Sequence, residues 1–210
     1  MDTHVELAPL TKRSFDLSAV RGLSAAALEL HLGLYEGYVK ETNGLMAQLH
    51  EFPRSAPMTP EDRLIRDGLI RRLSFERNGV VWHEMFFESL GCAAGRPAPG
   101  GVFAEALDIS FGGIEHWKRD LVEVSQTRGV GWVVTFQSPG DNRLINAWVD
   151  DHTRGILAGM RPIAIFDLWE HAYLPDFKPT QRREYMNTLF DNMNWPVLEA
   201  RCQQRVTGIE

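Results

Sequence analysis

Two long stretches near the start of the chain place residues at three- and four-residue intervals, the spacing of one helix face. In the first, Leu28, His31, Tyr35, Tyr38 and Thr42 recur behind Ser24, a residue type that caps helix N-termini. In the second, Leu64, Leu69, Leu73, Val80, His83, Phe86, Phe87 and Leu90 follow Thr59 and Pro60, a cap with proline at the first helical position. Pro53 and Pro57 separate the two, so the pattern predicts an antiparallel helical hairpin. Residues 1–22 carry no such period and are expected to be irregular.

The period changes after "GCAAGRPAPGG" (91–101), a Gly/Pro/Ala-rich segment expected to be a linker. Short helices are expected over 102–108 and 113–126. Strand-like runs follow at 131–138, 143–149 and 161–169, the first two joined by the hairpin signal "SPGDN". Helical segments return after Pro179 and after Asn194. The fold class is therefore α+β: an N-terminal antiparallel helical hairpin followed by an α/β domain with a three-stranded antiparallel sheet. The expected domains are 1–92 and 93–210.

Composition narrows the function classes. The chain has 210 residues, is 44% hydrophobic and carries a formal net charge of −6. The acidic balance argues against a general nucleic-acid binder, which needs a basic face. Two cysteines give neither a disulfide framework nor a thiolate zinc motif, and suit a reducing compartment. No stretch has the length of a membrane span and the N-terminus has no signal-type apolar core. The expectation is a soluble, cytoplasmic protein.

The run "IAIFDLWEHAY" (163–173) raises the chemical question. A strand that reads as buried ends in Asp167, and an ionised carboxylate there costs several kcal/mol unless it is paired or bound to a metal. His171 follows one turn later. His31 and His83 sit mid-helix, one on each arm of the hairpin, on otherwise apolar faces. Three imidazoles and a carboxylate suit a first-row metal, and the lack of thiolate points to Fe, Mn or catalytic zinc rather than structural zinc. Taken singly, a histidine on a helix face is usually a hydrogen-bonded core or surface residue, and the pattern as a whole leaves both readings open.

Five blocks, in order, resemble the iron/manganese superoxide dismutase family. "DLWEHAY" (167–173) is similar to its signature. "LELHLGLYEGYV" (28–39) and "NGVVWHEMFFESL" (78–90) resemble its two ligand helices. "SFGGIEHWKRDLVEVSQTRGVGW" (110–132) resembles the helix leading into its central strand, and "NTLFDNMNWPVLEARC" (187–202) its closing helices. The resemblance implies four ligands to one Fe or Mn ion per chain, His31, His83, Asp167 and His171, with the site between the two domains. It implies disproportionation of superoxide to O₂ and H₂O₂, the ion cycling between +3 and +2, in a homodimer.

The resemblance also implies roles around the ligands. Tyr38 corresponds to a gateway tyrosine, and Trp132 and Trp169 to aromatics that shape the pocket. Glu170 and Tyr173 correspond to interface residues, Glu170 accepting from the partner's ligand histidine. Arg182, or its neighbour Arg183, corresponds to the arginine that attracts the anion. The family bonds the metal's solvent ligand with an amide or imidazole outside the ligand set. Iron enzymes often carry Gln at the position of Gly79, so that source is missing here, and His152 is the expected donor with Asp151 as the adjacent alternative. Tyr35 stands where a second, gating histidine is usual, with Leu32 and Leu34 around it, Val134 replaces a strand tryptophan and Leu174 a tyrosine. The first helix is one residue shorter than usual between His31 and Tyr38, which implies loss of a local bulge and a rotated Tyr38. A different mononuclear metal enzyme on this scaffold is the alternative these changes keep open; a non-enzymatic structural subunit is a third reading, against which all four ligand positions are kept.

Overall fold

The computed structural model describes residues 8–52, 57–91 and 100–203. Most of the expected linker, Cys92 within it, and Pro53 lie outside these. Two long helices open the fold. The Ser24 side chain accepts from the Ala27 N–H at 3.1 Å and starts α1, Ala25–His50. Thr59 and Asp62 bond each other's backbone N–H groups reciprocally, at 3.1 and 3.0 Å, and start α2, Pro60–Glu88. The arms pack along each other as a hairpin.

Burial on α1 follows Ala27, His31, Tyr35, Val39, Thr42 and Leu45. The apolar stripe expected through Leu28 and Tyr38 is thus shifted by one position at both, and these two residues flank it. On α2 the buried face is Glu76, Gly79, Val80, Trp82, His83, Phe86 and Phe87. Each arm therefore carries one histidine into its packed face.

The second half adds α3 (Val102–Phe111), α4 (Ile114–Val124), strands β1 (Gly131–Gln137), β2 (Leu144–Asp150) and β3 (Arg161–Asp167), then α5 (Glu170–Tyr173), α6 (Arg182–Asp191) and α7 (Trp195–Gln203). The sheet is antiparallel in the order β2-β1-β3. Its central strand β1 is buried at every residue. Gly131 begins it where a Cβ would run into the carbonyl oxygen of Val149 on β2, so only glycine fits that close approach.

β3 stops at Asp167, two residues before its expected end. The Leu168 N–H bonds the Gly131 carbonyl at 2.9 Å and the Trp169 N–H bonds Oδ1 of Asp167 at 2.8 Å, which turns the chain out of the ladder. The register sets Asp167 opposite Trp132. α2 packs on β3 and α1 on α5, so hairpin and sheet meet at the end of β3. Behind that junction the guanidinium of Arg201, on α7, bonds Ser89 Oγ, the carbonyls of Ile163 and Met85, and Glu88.

Candidate metal centre

His31, His83, Asp167 and His171 converge from α1, α2, the end of β3 and α5, each offering one ligand atom, with these atoms all within 4.8 Å of one another. Three imidazole nitrogens face one carboxylate oxygen. Asp167 Oδ2 lies 3.0 Å from His31 Nε2, 3.7 Å from His83 Nε2 and 3.4 Å from His171 Nε2. The other oxygen, Oδ1, is held by the Trp169 N–H, which leaves Oδ2 turned to the imidazoles.

The protonation pattern fits a cation. His83 Nδ1 lies 2.7 Å from the Gly79 carbonyl one helical turn earlier, so Nδ1 carries the proton and Nε2 presents a lone pair. The Nε2 atoms of His83 and His171 are buried without a hydrogen-bond partner among the described residues. Burial pushes the His31 and His83 imidazoles below their ordinary range, His83 far below, with the neighbouring His31 adding to it. Both are therefore neutral, the ligating form. Burial alone would raise the Asp167 carboxyl, but its contacts with His171 and then His31 more than offset that and hold it well below the usual range. The bare Nε2 lone pair of His83, facing Asp167 Oδ2 at 3.7 Å in a buried pocket, is repelled by it unless a cation lies between them. The donor set, three N and one O without sulfur, is one that Fe and Mn accept.

The wall around the cluster is aromatic. His31 packs on Phe86 and Phe87, with ring centroids 5.1 and 4.9 Å away. Trp132 stands edge-on to His83 at 5.1 Å, and Trp169 stacks on His171 at 5.9 Å and on His152 at 5.0 Å. His152 is fully buried after the β2 turn. Its Nδ1 accepts from the Trp132 indole N–H at 2.9 Å, and because indole only donates, the His152 proton sits on Nε2. That atom lies 3.0 Å from the Tyr38 hydroxyl. Burial pushes His152 down to about 4, so it is neutral near pH 7, and burial with the charge of Asp167 pushes the Tyr38 phenol up. Asp151, the alternative to His152, spends its Oδ1 on the backbone N–H groups of His152 and Thr153 and on the Thr153 hydroxyl.

Other expected site residues lie close by in different surroundings. Tyr35 is 1% exposed, and its hydroxyl donates to Glu84 at 2.8 Å and accepts from the Arg13 N–H at 3.0 Å. Tyr173 is buried against Tyr185, while Glu170 is exposed beside His171. Arg182 donates to the carbonyls of Ser125, Thr127, Gly129 and Leu168 and lies over the Tyr173 ring, and Arg183 pairs with Glu123. Sequence reasoning missed Phe75, Asn78 and Trp82. Phe75 packs on His152 at 4.5 Å, and Asn78 and Trp82 bond its carbonyl. Their signal was present as three- and four-residue spacing with Gly79 and His83 on one face of α2.

Comparison with known proteins agrees with this geometry. Residues 99–201 match the family model for the C-terminal domain of iron/manganese superoxide dismutases. The iron superoxide dismutase of Cupriavidus metallidurans is 32% identical over 77% of this chain and 78% of its own length. The manganese superoxide dismutase 2 of Haloferax volcanii is 31% identical over 68% of this chain and 70% of its own, and the iron enzyme of Pyrobaculum aerophilum 27% identical over 89% and 87%. With relatives of both metals matching across most of its length, and a site of three imidazoles and one carboxylate, the chain belongs to the iron/manganese superoxide dismutase family.

Proposed function

We propose that this protein is a superoxide dismutase in which His31, His83, Asp167 and His171 hold one Fe or Mn ion. The observation that carries the reading is the convergence of three imidazole nitrogens on one buried carboxylate oxygen, with those of His83 and His171 lacking any hydrogen-bond partner among the described residues. When bound, the metal supplies one-electron chemistry, alternating between +3 and +2 as one superoxide is oxidised to O₂ and a second is reduced to H₂O₂. The chain's own residues supply the rest. The carboxylate offsets part of the metal's charge. The rings of Phe86, Phe87, Trp132 and Trp169 exclude bulk water, which strengthens each electrostatic contact inside. His152 holds its proton on Nε2 against the Tyr38 hydroxyl, so the two form a hydrogen-bonded pair beside the cluster that can pass protons toward reduced substrate.

Residues 1–92 and 93–210 are proposed as two domains that meet at this cluster, with two ligands from each. A homodimer is proposed as the working form. Leu30 and Leu34 on α1 and Leu174 after α5 are exposed large apolar residues on the elements that carry His31 and His171, beside exposed Glu170. A cytoplasmic location is proposed from the sparse cysteine usage, Cys202 being a buried free thiol. No helix among the described residues is long and apolar enough to cross a membrane.

Product stoichiometry tests the reaction. The metal-loaded protein is expected to release O₂ and H₂O₂ in equal amounts as superoxide disappears. H₂O₂ without matching O₂ would identify a superoxide reductase instead.

A further inference from the structure

The carbonyl of His152 is held by two donors from α2, and nothing so far has assigned them a purpose. Asn78 Nδ2 donates to it at 2.8 Å and Trp82 Nε1 at 3.1 Å, so both lone pairs of that carbonyl are filled from one helix. The turn they grip is an unusual one. Asp151 sits at φ +47, a left-handed conformation that few non-glycine residues adopt. Its carboxylate closes the turn over the N–H groups of His152 and Thr153. The ring of the same His152 is pinned by a third donor, the Trp132 indole.

The helix that makes the clamp also carries the cluster. Trp82 immediately precedes His83, and Asn78 lies one turn earlier beside Gly79, whose carbonyl orients the His83 ring. Gly79 is also where the Tyr38 ring lies against the helix. One rigid stretch, 78–83, thus fixes His83, makes room for Tyr38 and fixes the residue that bonds Tyr38.

We propose that Asn78 and Trp82 are positioning residues that, through the carbonyl of His152, hold its imidazole in place over Tyr38 and the metal cluster and so tune the bound metal. The redox part of this rests on the dismutase reading; the geometric part does not. The test uses the full chain loaded with zinc, which is diamagnetic and takes the same N and O donors, and compares wild type with Asn78→Leu/Trp82→Phe. With ¹⁵N-labelled histidine and tryptophan, the wild type is expected to show His152 with bare Nδ1 and protonated Nε2, and a hydrogen-bonded Trp132 indole proton. The double variant is expected to lose the Trp132 hydrogen bond and to average the two His152 tautomers, while zinc still binds stoichiometrically. Loaded with Fe or Mn, it is expected to show a shifted midpoint potential. Unchanged His152 and Trp132 signals overturn the proposal. Changed signals with an unchanged potential overturn it too, because the clamp would then hold the turn and nothing more. If the double variant does not fold, Asn78→Leu, which keeps the branching of the side chain at a half-buried position, carries both readouts. Absence of superoxide decay in the loaded wild type would sink the dismutase reading alone, since the zinc spectra still decide the clamp.

Discussion

His83 donates its Nδ1–H to the carbonyl of Gly79 at 2.7 Å, and the same Gly79 leaves the space that the Tyr38 ring occupies. One residue without a side chain therefore sets the tautomer of a candidate ligand and the seat of Tyr38. A Cβ at Gly79 would lie 2.6 Å from Tyr38 Cδ1. Gly79→Ala is expected to cost about 1–3 kcal/mol by crowding, less about 1 kcal/mol regained in helix propensity. The net loss, about 1 kcal/mol, is checked by urea denaturation, and displacement of Tyr38 should break its bond to His152. A more stable variant with that bond intact would contradict the packing.

Metal binding should stabilise the fold, because the four donors converge only when α1, α2, β3 and α5 are assembled. At free metal a thousandfold above the dissociation constant the expected gain is about 4 kcal/mol. Thermal unfolding of the loaded and chelator-treated protein checks it. Equal midpoints would argue that the cluster is an ordinary packed core.

Acid should weaken the fold partly through His152. Its folded pKa, about 4, lies below the ordinary 6.5. Above both values neither state is protonated and the group contributes no pH dependence. As pH falls below 6.5 the unfolded chain takes a proton that the folded chain refuses, so stability is lost across the window from 6.5 to 4, by about 3 kcal/mol at most. Denaturation curves of wild type and His152→Gln across that window should converge at low pH, since the variant lacks this loss. Parallel curves would mean that His152 is not held neutral.

Arg201 is 8% exposed and joins α7 to the end of α2 and to β3 through four partners. Among the described residues, Arg201→Met leaves Glu88 paired with the more exposed Arg13 and strips the Ile163 carbonyl of its donor, while the Met85 carbonyl keeps Ser89. The expected loss is about 3 kcal/mol, read as a lower denaturation midpoint with unchanged slope. A loss below 1 kcal/mol would show that water replaces the guanidinium at little cost.

Three of the four candidate ligands were legible because each broke a local pattern, two histidines on apolar helix faces and a carboxylate closing a buried strand; His171 was legible from its place one turn after that carboxylate. The strands were legible for the same reason, as apolar runs between turn signals. Burial along α1 was offset because periodicity gives the spacing of a face and not its phase, which the partner helix decides; Val39 rather than Tyr38 turned fully inward. The spacing of Asn78 and Trp82 puts them on the His83 face of α2, but their partner is a backbone carbonyl some seventy residues away, which that spacing does not encode. The surroundings of Tyr35 and Arg182 were equally hidden, since Glu84 and four loop carbonyls become their partners only through tertiary packing.

The most direct test of the central claim is stopped-flow decay of superoxide by the protein loaded separately with Fe and with Mn, beside a His83→Ala variant treated identically. Fast decay with at least one metal, absent from the variant, is the predicted result. Stoichiometric metal binding with decay no faster than the variant's would contradict it and leave a metal centre with some other substrate.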